Sequence, residues 1–420
     1  MIENKPENQT DETKGEEKIL SESSPAEGKA EWGGTAALPP KRSGKKKVIF
    51  FLIFFLICGA SLAVTAVSDF SGDVLPLSEI LATIGSNWFY LIIAVACCLL
   101  VLFFDWLKTV CLMYGFRRKT HWKMCAEVAV ITKFYDYVTP FGAGGQPFAA
   151  YLMTKRGIDG GTSTAVVICA FLLQQFAFIL LCILSMIFSF HLITPATKVL
   201  AFVGLAFYVV VPVTVVVFSV MPKATTKIVS GIIRLCGKIK LVRDPDKTIR
   251  KAMGVVSRNS KCLRSIGKHK GAFTLATLCA FAAQFSMFSV AYFTLKTFGY
   301  DLPDVNGFRE WLDLSQIVCI LYAAVAFIPT PGNAGASEIS FYFIFANNLA
   351  GGSGFTAMLI WRVLSYYMYI LIGACLSFCT SRIESRRIHK MEREQAALAA
   401  AAPPEDPPKD PPEEREQKEE

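Results

Sequence analysis

Thr139-Pro140-Phe141-Gly142-Ala143-Gly144-Gly145-Gln146-Pro147 and Pro329-Thr330-Pro331-Gly332-Asn333-Ala334-Gly335-Ala336-Ser337-Glu338 interrupt two otherwise apolar segments, and reading them together decides the fold. Proline removes a backbone donor and glycine loosens the chain, so either cluster ends a helix. The first break lies within residues 125–153 and the second within 314–349. Both run Thr-Pro, then closely spaced Gly, then Gln146 or Glu338.

Around the breaks lie six uninterrupted apolar stretches, at 48–67, 88–107, 164–190, 199–220, 272–295 and 355–379. Each has the roughly 20 residues that a helix needs to cross a hydrocarbon core. Lipid cannot satisfy an open strand edge, so the stretches are expected to be helices. The first follows a 47-residue leader, too long for a signal peptide, and is expected to stay as a membrane span.

Basic residues orient these spans by the positive-inside rule. Lys41, Arg42 and Lys45 to Lys47 put the N-terminus in the cytoplasm, and Asp69, Asp73 and Glu79 put the following loop outside. Lys108, Arg117, Arg118, Lys119 and Lys123 then mark an inside loop, as do Lys155 and Arg156. The segment 125–153 therefore has both ends inside. Segment 222–270 carries fourteen Lys or Arg against two Asp and is also inside. Asp301, Asp304, Glu310 and Asp313 lie outside, and Arg382, Arg386, Arg387 and Lys390 inside, so 314–349 has both ends outside. Either segment must enter and leave by the same face.

The expectation is an all-α integral membrane protein of the cell membrane, multi-pass, with both termini cytoplasmic. It has six transmembrane helices plus two re-entrant hairpins in an inverted-topology repeat, a frequent transporter architecture. Repeat 1 covers about 48–190 and repeat 2 about 199–380. Residues 1–47 and 381–420 read as charged, disordered cytoplasmic tails. Within the basic loop, Lys223, Lys227, Arg234 and Lys238 alternate with Ile228, Ile232, Cys236 and Ile239, the pattern of an interfacial amphipathic helix.

Composition removes several function classes. The net charge of +9 sits beside membrane helices and accompanies no nucleic-acid motif, so no nucleic-acid partner is expected. Thirteen cysteines and four histidines show no ligand spacing, so neither a metal nor a cofactor is expected. No Walker loop, zincin or GxSxG motif suggests an enzyme.

Irregular backbone at membrane depth is tolerated where it lines a cavity. The breaks should therefore face one another, with half-helix N-termini open to an anion. This nominates Thr139, Pro140, Gly142, Gly144, Gly145 and Gln146, with Thr330, Pro331, Gly332, Asn333, Gly335 and Glu338, as substrate-binding positions. Arg362, within the last span, is a candidate bidentate phosphate clamp or a structural partner of Glu338. Lys133 and Asp136, one turn apart, are candidate cavity residues or an intrahelical ion pair. Gln174, Gln175 and Gln284, mid-helix, fit interhelical hydrogen bonds or a ligand. Tyr151 and Tyr342 complete the cavity candidates.

Residues 139–147 with Tyr151 and Lys155-Arg156-Gly157, and 329–338 with Phe341-Tyr342, resemble the flippase-like membrane domain of the lysylphosphatidylglycerol synthase family, across about 48–380. In bifunctional members this domain moves aminoacylated phosphatidylglycerol outward, and a cytosolic domain attaches the amino acid from charged tRNA. Only about 40 residues follow the last span, so a stand-alone member without the synthase is expected. The resemblance implies a translocator of an anionic or aminoacylated phospholipid. The other readings are a scaffolding subunit of an envelope-lipid enzyme and a small-solute or ion transporter. The expected partners are membrane lipids, with a homo-oligomer or a separate lipid-modifying enzyme as further candidates.

Overall fold

A computed structural model describes residues 76–117, 120–139, 142, 144–192, 194–220, 269–302, 305, 307–349 and 353–380, with isolated positions in 59–67 and 227–249. The expected span at 48–67, the interfacial helix and both tails lie outside these residues, apart from those isolated positions.

The described residues form ten helices: α1 (Leu77–Ser86), α2 (Trp88–Arg117), α3 (Trp122–Val138), α4 (Gly145–Lys155), α5 (Gly160–Phe188), α6 (Pro195–Val220), α7 (Lys270–Thr297), α8 (Gly307–Val325), α9 (Ala336–Phe345) and α10 (Ser353–Thr380). No strand occurs among them. Helices α2, α5, α6, α7 and α10 are long and apolar enough to cross a membrane. They match the five expected spans that fall on described residues. Charged positions move some boundaries: Lys108 lies inside α2, Glu79 in α1, and Glu310 and Asp313 in α8, not in loops. Asp159 caps α5 by accepting the Thr162 N–H at 2.9 Å, which starts that helix before its apolar run.

Each break separates two antiparallel helices. Arg156, just after α4, pairs with Glu127 near the start of α3 at 2.6 Å. At the other end of the same pair, Tyr135 stacks on Phe148 with ring centroids 3.6 Å apart. Helix α9 likewise returns to the level where α8 begins. Phe345 packs on Tyr300, whose hydroxyl accepts from Asn348 Nδ2 at 3.2 Å.

Helices α2 and α7 pack antiparallel along their length. Gly115 in the last turn of α2 meets Ala272 and Phe273 at the start of α7. Ile80 of α1 and Phe298 beyond α7 cluster at the opposite end. The expected repeat would make these two helices equivalent. Small residues permit the close approach: Ala94, Cys97 and Cys98 of α2 and Ala291 of α7 are all in the main core cluster. Gly204 of α6 lies so close to the Ala323 carbonyl of α8 that no side chain fits between. None of the ten described cysteines is in a disulfide, and eight are buried, as expected of small apolar residues. On α6, Val199, Phe202, Val203, Val210 and Val213 face outward, where a hydrocarbon solvent would meet them.

Candidate functional site

The two breaks share a backbone plan. Three residues beyond Thr139 and Thr330, Gly142 and Asn333 adopt positive φ of 60° and 53°. Five residues beyond the same threonines, Gly144 and Gly335 are the N-caps of α4 and α9. Gly144 has an ordinary φ of −85°, and the Thr139 side chain occupies the space where its Cβ would stand. Thr139 Oγ1 accepts the Gly144 N–H at 2.9 Å and donates to the Tyr135 carbonyl at 2.6 Å, which fixes that turn.

The half-helix N-termini correct one expectation, that of open anion sites. Gly145 N donates to Asp136 Oδ1 at 2.9 Å, and Gly335 N donates to Glu338 Oε2 at 2.8 Å. Either helix start thus holds a carboxylate of the chain itself, which both satisfies a donor and opposes the helix dipole.

Between the breaks is a cavity of about 320 Å³. Gly142 and Gln146 line it from the first break, and Gly332 and Asn333 from the second. Lys133, Asp136, Gln174, Gln175, Gln284 and Arg362 also reach it. Sequence reasoning had set these ten positions apart for different reasons, and folding brings them into one site. Thr139, Gly144, Gly145, Thr330, Pro331, Gly335 and Glu338 shape the breaks without lining the cavity. Pro140 lies outside the described residues. Tyr151 is exposed and Tyr342 is buried, and neither lines the cavity.

The charge network differs from the expected intrahelical pair. Lys133 does not bond Asp136; its Nζ reaches Asp105 Oδ2 at 3.2 Å, on α2. Asp105 also takes Lys108 Nζ at 2.6 Å, and the same Nζ donates to Gln174 Oε1 at 2.6 Å. Gln174 passes the chain to Gln284 across α5 and α7, so these two of the three glutamines make an interhelical hydrogen bond. Asp105 and Lys108 line the cavity too, and the sequence reading missed both as site residues. One signal was available: placed three apart at the end of an apolar run, they share a helix face.

Arg362 resolves toward its structural alternative. Its Nε donates to Glu338 Oε1 at 2.7 Å and its Nη2 to the Gly332 carbonyl at 2.8 Å. The guanidinium stacks over the Tyr366 ring at 4.1 Å. Right after Arg362, α10 takes a π-helical turn at Val363–Tyr367, a distortion frequent at functional sites. Tyr366 stands at the joint of both breaks, its hydroxyl 3.1 Å from the Tyr137 carbonyl and 3.3 Å from that of Pro331. Tyr322 and Ser365 line the cavity, and their hydroxyls make no hydrogen bond within 3.5 Å among the described residues.

A second cavity, of about 280 Å³, lies between the end of α5, the middle of α7 and the start of α8. Phe288 is a wall of both cavities, and it packs edge-on to Phe178 and tilted to Tyr322. Among the described residues no group of His, Cys, Asp or Glu is placed to hold a metal ion.

Comparison with known proteins agrees with this architecture. The chain is 24% identical over 275 residues to a UPF0104 membrane protein of Archaeoglobus fulgidus, covering 62% of this chain and 76% of that relative. Residues 48–373 match the model of the lysylphosphatidylglycerol synthase TM region. That match takes in the broken helix pairs and every residue of the central cavity, and the chain belongs to the lysylphosphatidylglycerol synthase TM region family.

Proposed function

We propose that this chain is a lipid translocator of the cell membrane, moving the head group of an anionic or aminoacylated phospholipid, or a related lipid, between leaflets without covalent chemistry. One observation carries the reading: a charged, polar cavity is walled by both helix breaks inside a bundle of membrane-length helices. Charged side chains at membrane depth cost roughly 2.5–3.5 kcal/mol each on insertion scales, so a cluster of them needs a purpose. A polar head group supplies one, while acyl chains stay in the bilayer.

In this reading the chain has six crossings, and the pairs α3/α4 and α8/α9 are re-entrant from opposite faces. The antiparallel packing of α2 on α7 and the matched backbone of the breaks support an inverted repeat. The two halves then alternate in opening, with Tyr366 at the joint between the breaks.

Reconstitution into liposomes tests the proposal. Acyl-chain-labelled lipids in the inner leaflet should become accessible to an impermeant quencher faster with the protein than without it. No acceleration for any lipid in a panel of anionic, zwitterionic and aminoacylated head groups would overturn the reading. Acceleration for small solutes alone would replace it with a solute carrier.

A further inference from the structure

Asp136 stands apart from the other charged groups of the cavity. It accepts the Gly145 N–H at 2.9 Å, yet forms no ion pair among the described residues. Lys133, one turn before it, is turned to Asp105 instead. Glu338 caps the other half-helix in the same way, but Arg362 neutralises it at 2.7 Å. The two breaks agree in backbone and differ here: the second carries its own counter-ion and the first does not.

The surrounding charges make that difference directional. Lys108 and Lys133 share the single carboxylate of Asp105, which leaves one positive charge in excess at that cluster. Arg362 and Glu338 cancel, and Asp136, when ionised, contributes one negative charge. The charged groups acting on Asp136 are Lys133, Lys108 and Asp105. The cavity is therefore close to neutral in total and dipolar in arrangement.

Asp136 is half-buried in the cavity wall, a carboxylate without a counter-ion there is costly, and a cation brought to it recovers part of that cost. A net-charged head group would leave one pole of this cavity uncompensated, whereas a zwitterion matches both. Aromatic faces add to the fit, because Tyr137, Phe178, Tyr208 and Tyr322 line the same cavity and attract an ammonium. Lys133 has three donors, and its bond to Asp105 uses one of them.

We propose that the cavity selects a net-neutral head group bearing one phosphate and one ammonium, with the phosphate at Lys133 and Lys108 and the ammonium at Asp136. The inference rests on the translocator reading only in taking a lipid as the ligand.

Two measurements separate the ideas: binding of short-chain phosphatidylethanolamine and phosphatidylglycerol to purified protein in detergent, and transport of the acyl-labelled forms in liposomes. The wild-type protein should prefer phosphatidylethanolamine in both. Asp136→Asn keeps an oxygen for the Gly145 N–H, so the turn should hold. It should weaken phosphatidylethanolamine binding ~30-fold or more, the loss expected on removing one partner of a charge pair, without weakening phosphatidylglycerol. Lys133→Gln should weaken both lipids, since both carry phosphate, and keeps the test open if Asp136→Asn folds poorly. A preference for phosphatidylglycerol, an unchanged lipid ratio in Asp136→Asn, or unaltered binding in Lys133→Gln would overturn the inference while leaving translocation intact. Asp136-dependent binding with no movement of any lipid would uphold the head-group site and overturn the translocator reading instead.

Discussion

Arg362 Nε meets Glu338 Oε1 at 2.7 Å with both side chains almost wholly buried, while the other Glu338 oxygen holds the Gly335 N–H at 2.8 Å. This ion pair fastens the start of α9 to α10, and the Arg362 bond to the Gly332 carbonyl ties the turn that precedes α9. Removing either partner leaves a charge buried alone, at a cost of roughly 3–5 kcal/mol. Arg362→Ala and Glu338→Gln should therefore each lower folded yield and Tm sharply. The Arg362→Ala/Glu338→Gln double variant should recover much of both. Arg362→Lys should fall between, because an ammonium cannot reproduce the fork that reaches Glu338 and Gly332 together. A double variant no better than the single ones would exclude this pairing role.

Gly332 combines a positive φ of 57° with the Tyr366 ring where a Cβ would stand. Gly157 has a φ of 88° but open space around it. Gly157→Ala should cost only backbone strain, about 1–2 kcal/mol. Gly332→Ala should cost distinctly more and displace Tyr366. Thermal unfolding of the two variants gives the comparison, and equal losses would show that the ring contact carries no weight.

Tyr366→Phe removes one hydroxyl and no packing. Its hydroxyl lies between the Tyr137 and Pro331 carbonyls, so the expected loss is about 0.5–1.5 kcal/mol, that of a single hydrogen bond. If that bond holds the breaks together, the variant should also change the rate of lipid movement. An unchanged rate together with a lowered Tm would confine Tyr366 to a structural role.

Asp105 serves two lysines, so Asp105→Asn leaves Lys108 and Lys133 without their shared counter-ion. Folded yield should drop, and Lys108→Met in the same chain should restore part of it. Size-exclusion profiles of the single and double variants provide the readout. No rescue would mean the cluster does not act as a unit.

Topology gives the last expectation. Cysteines placed at Trp122 and Lys155 bracket α3/α4, and those at Phe308 and Asn347 bracket α8/α9, all at exposed positions. In a cysteine-depleted background, an impermeant maleimide should label the first two only from the cytoplasmic side and the last two only from outside. Labelling of Trp122 and Lys155 from different sides would show α3/α4 to be a crossing.

Much of this molecule was legible in one dimension, because the forces concerned are local. Apolar length defines a span, and α10 at Ser353–Thr380 lies within two residues of the stretch read from hydropathy. Proline and glycine end helices whatever surrounds them, so both breaks were visible. Their convergence on one cavity also followed, since irregular backbone in lipid must be covered.

Partnership was another matter. Hydropathy assigned Lys108 to a loop because basic residues follow it, yet it is buried on α2 against Gln174, which lies 66 positions away. Sequence spacing offered Lys133 to Asp136, and folding gave it to Asp105, 28 positions distant on another helix. The half-helix starts looked open to an anion, and Asp136 and Glu338 close them. A helix end, a span or a turn is determined by the residues within it. The partner of a buried charge is decided by which helices the tertiary structure brings alongside, because desolvation favours pairing with a charge on a packed neighbour and spacing along one helix cannot say which one that is.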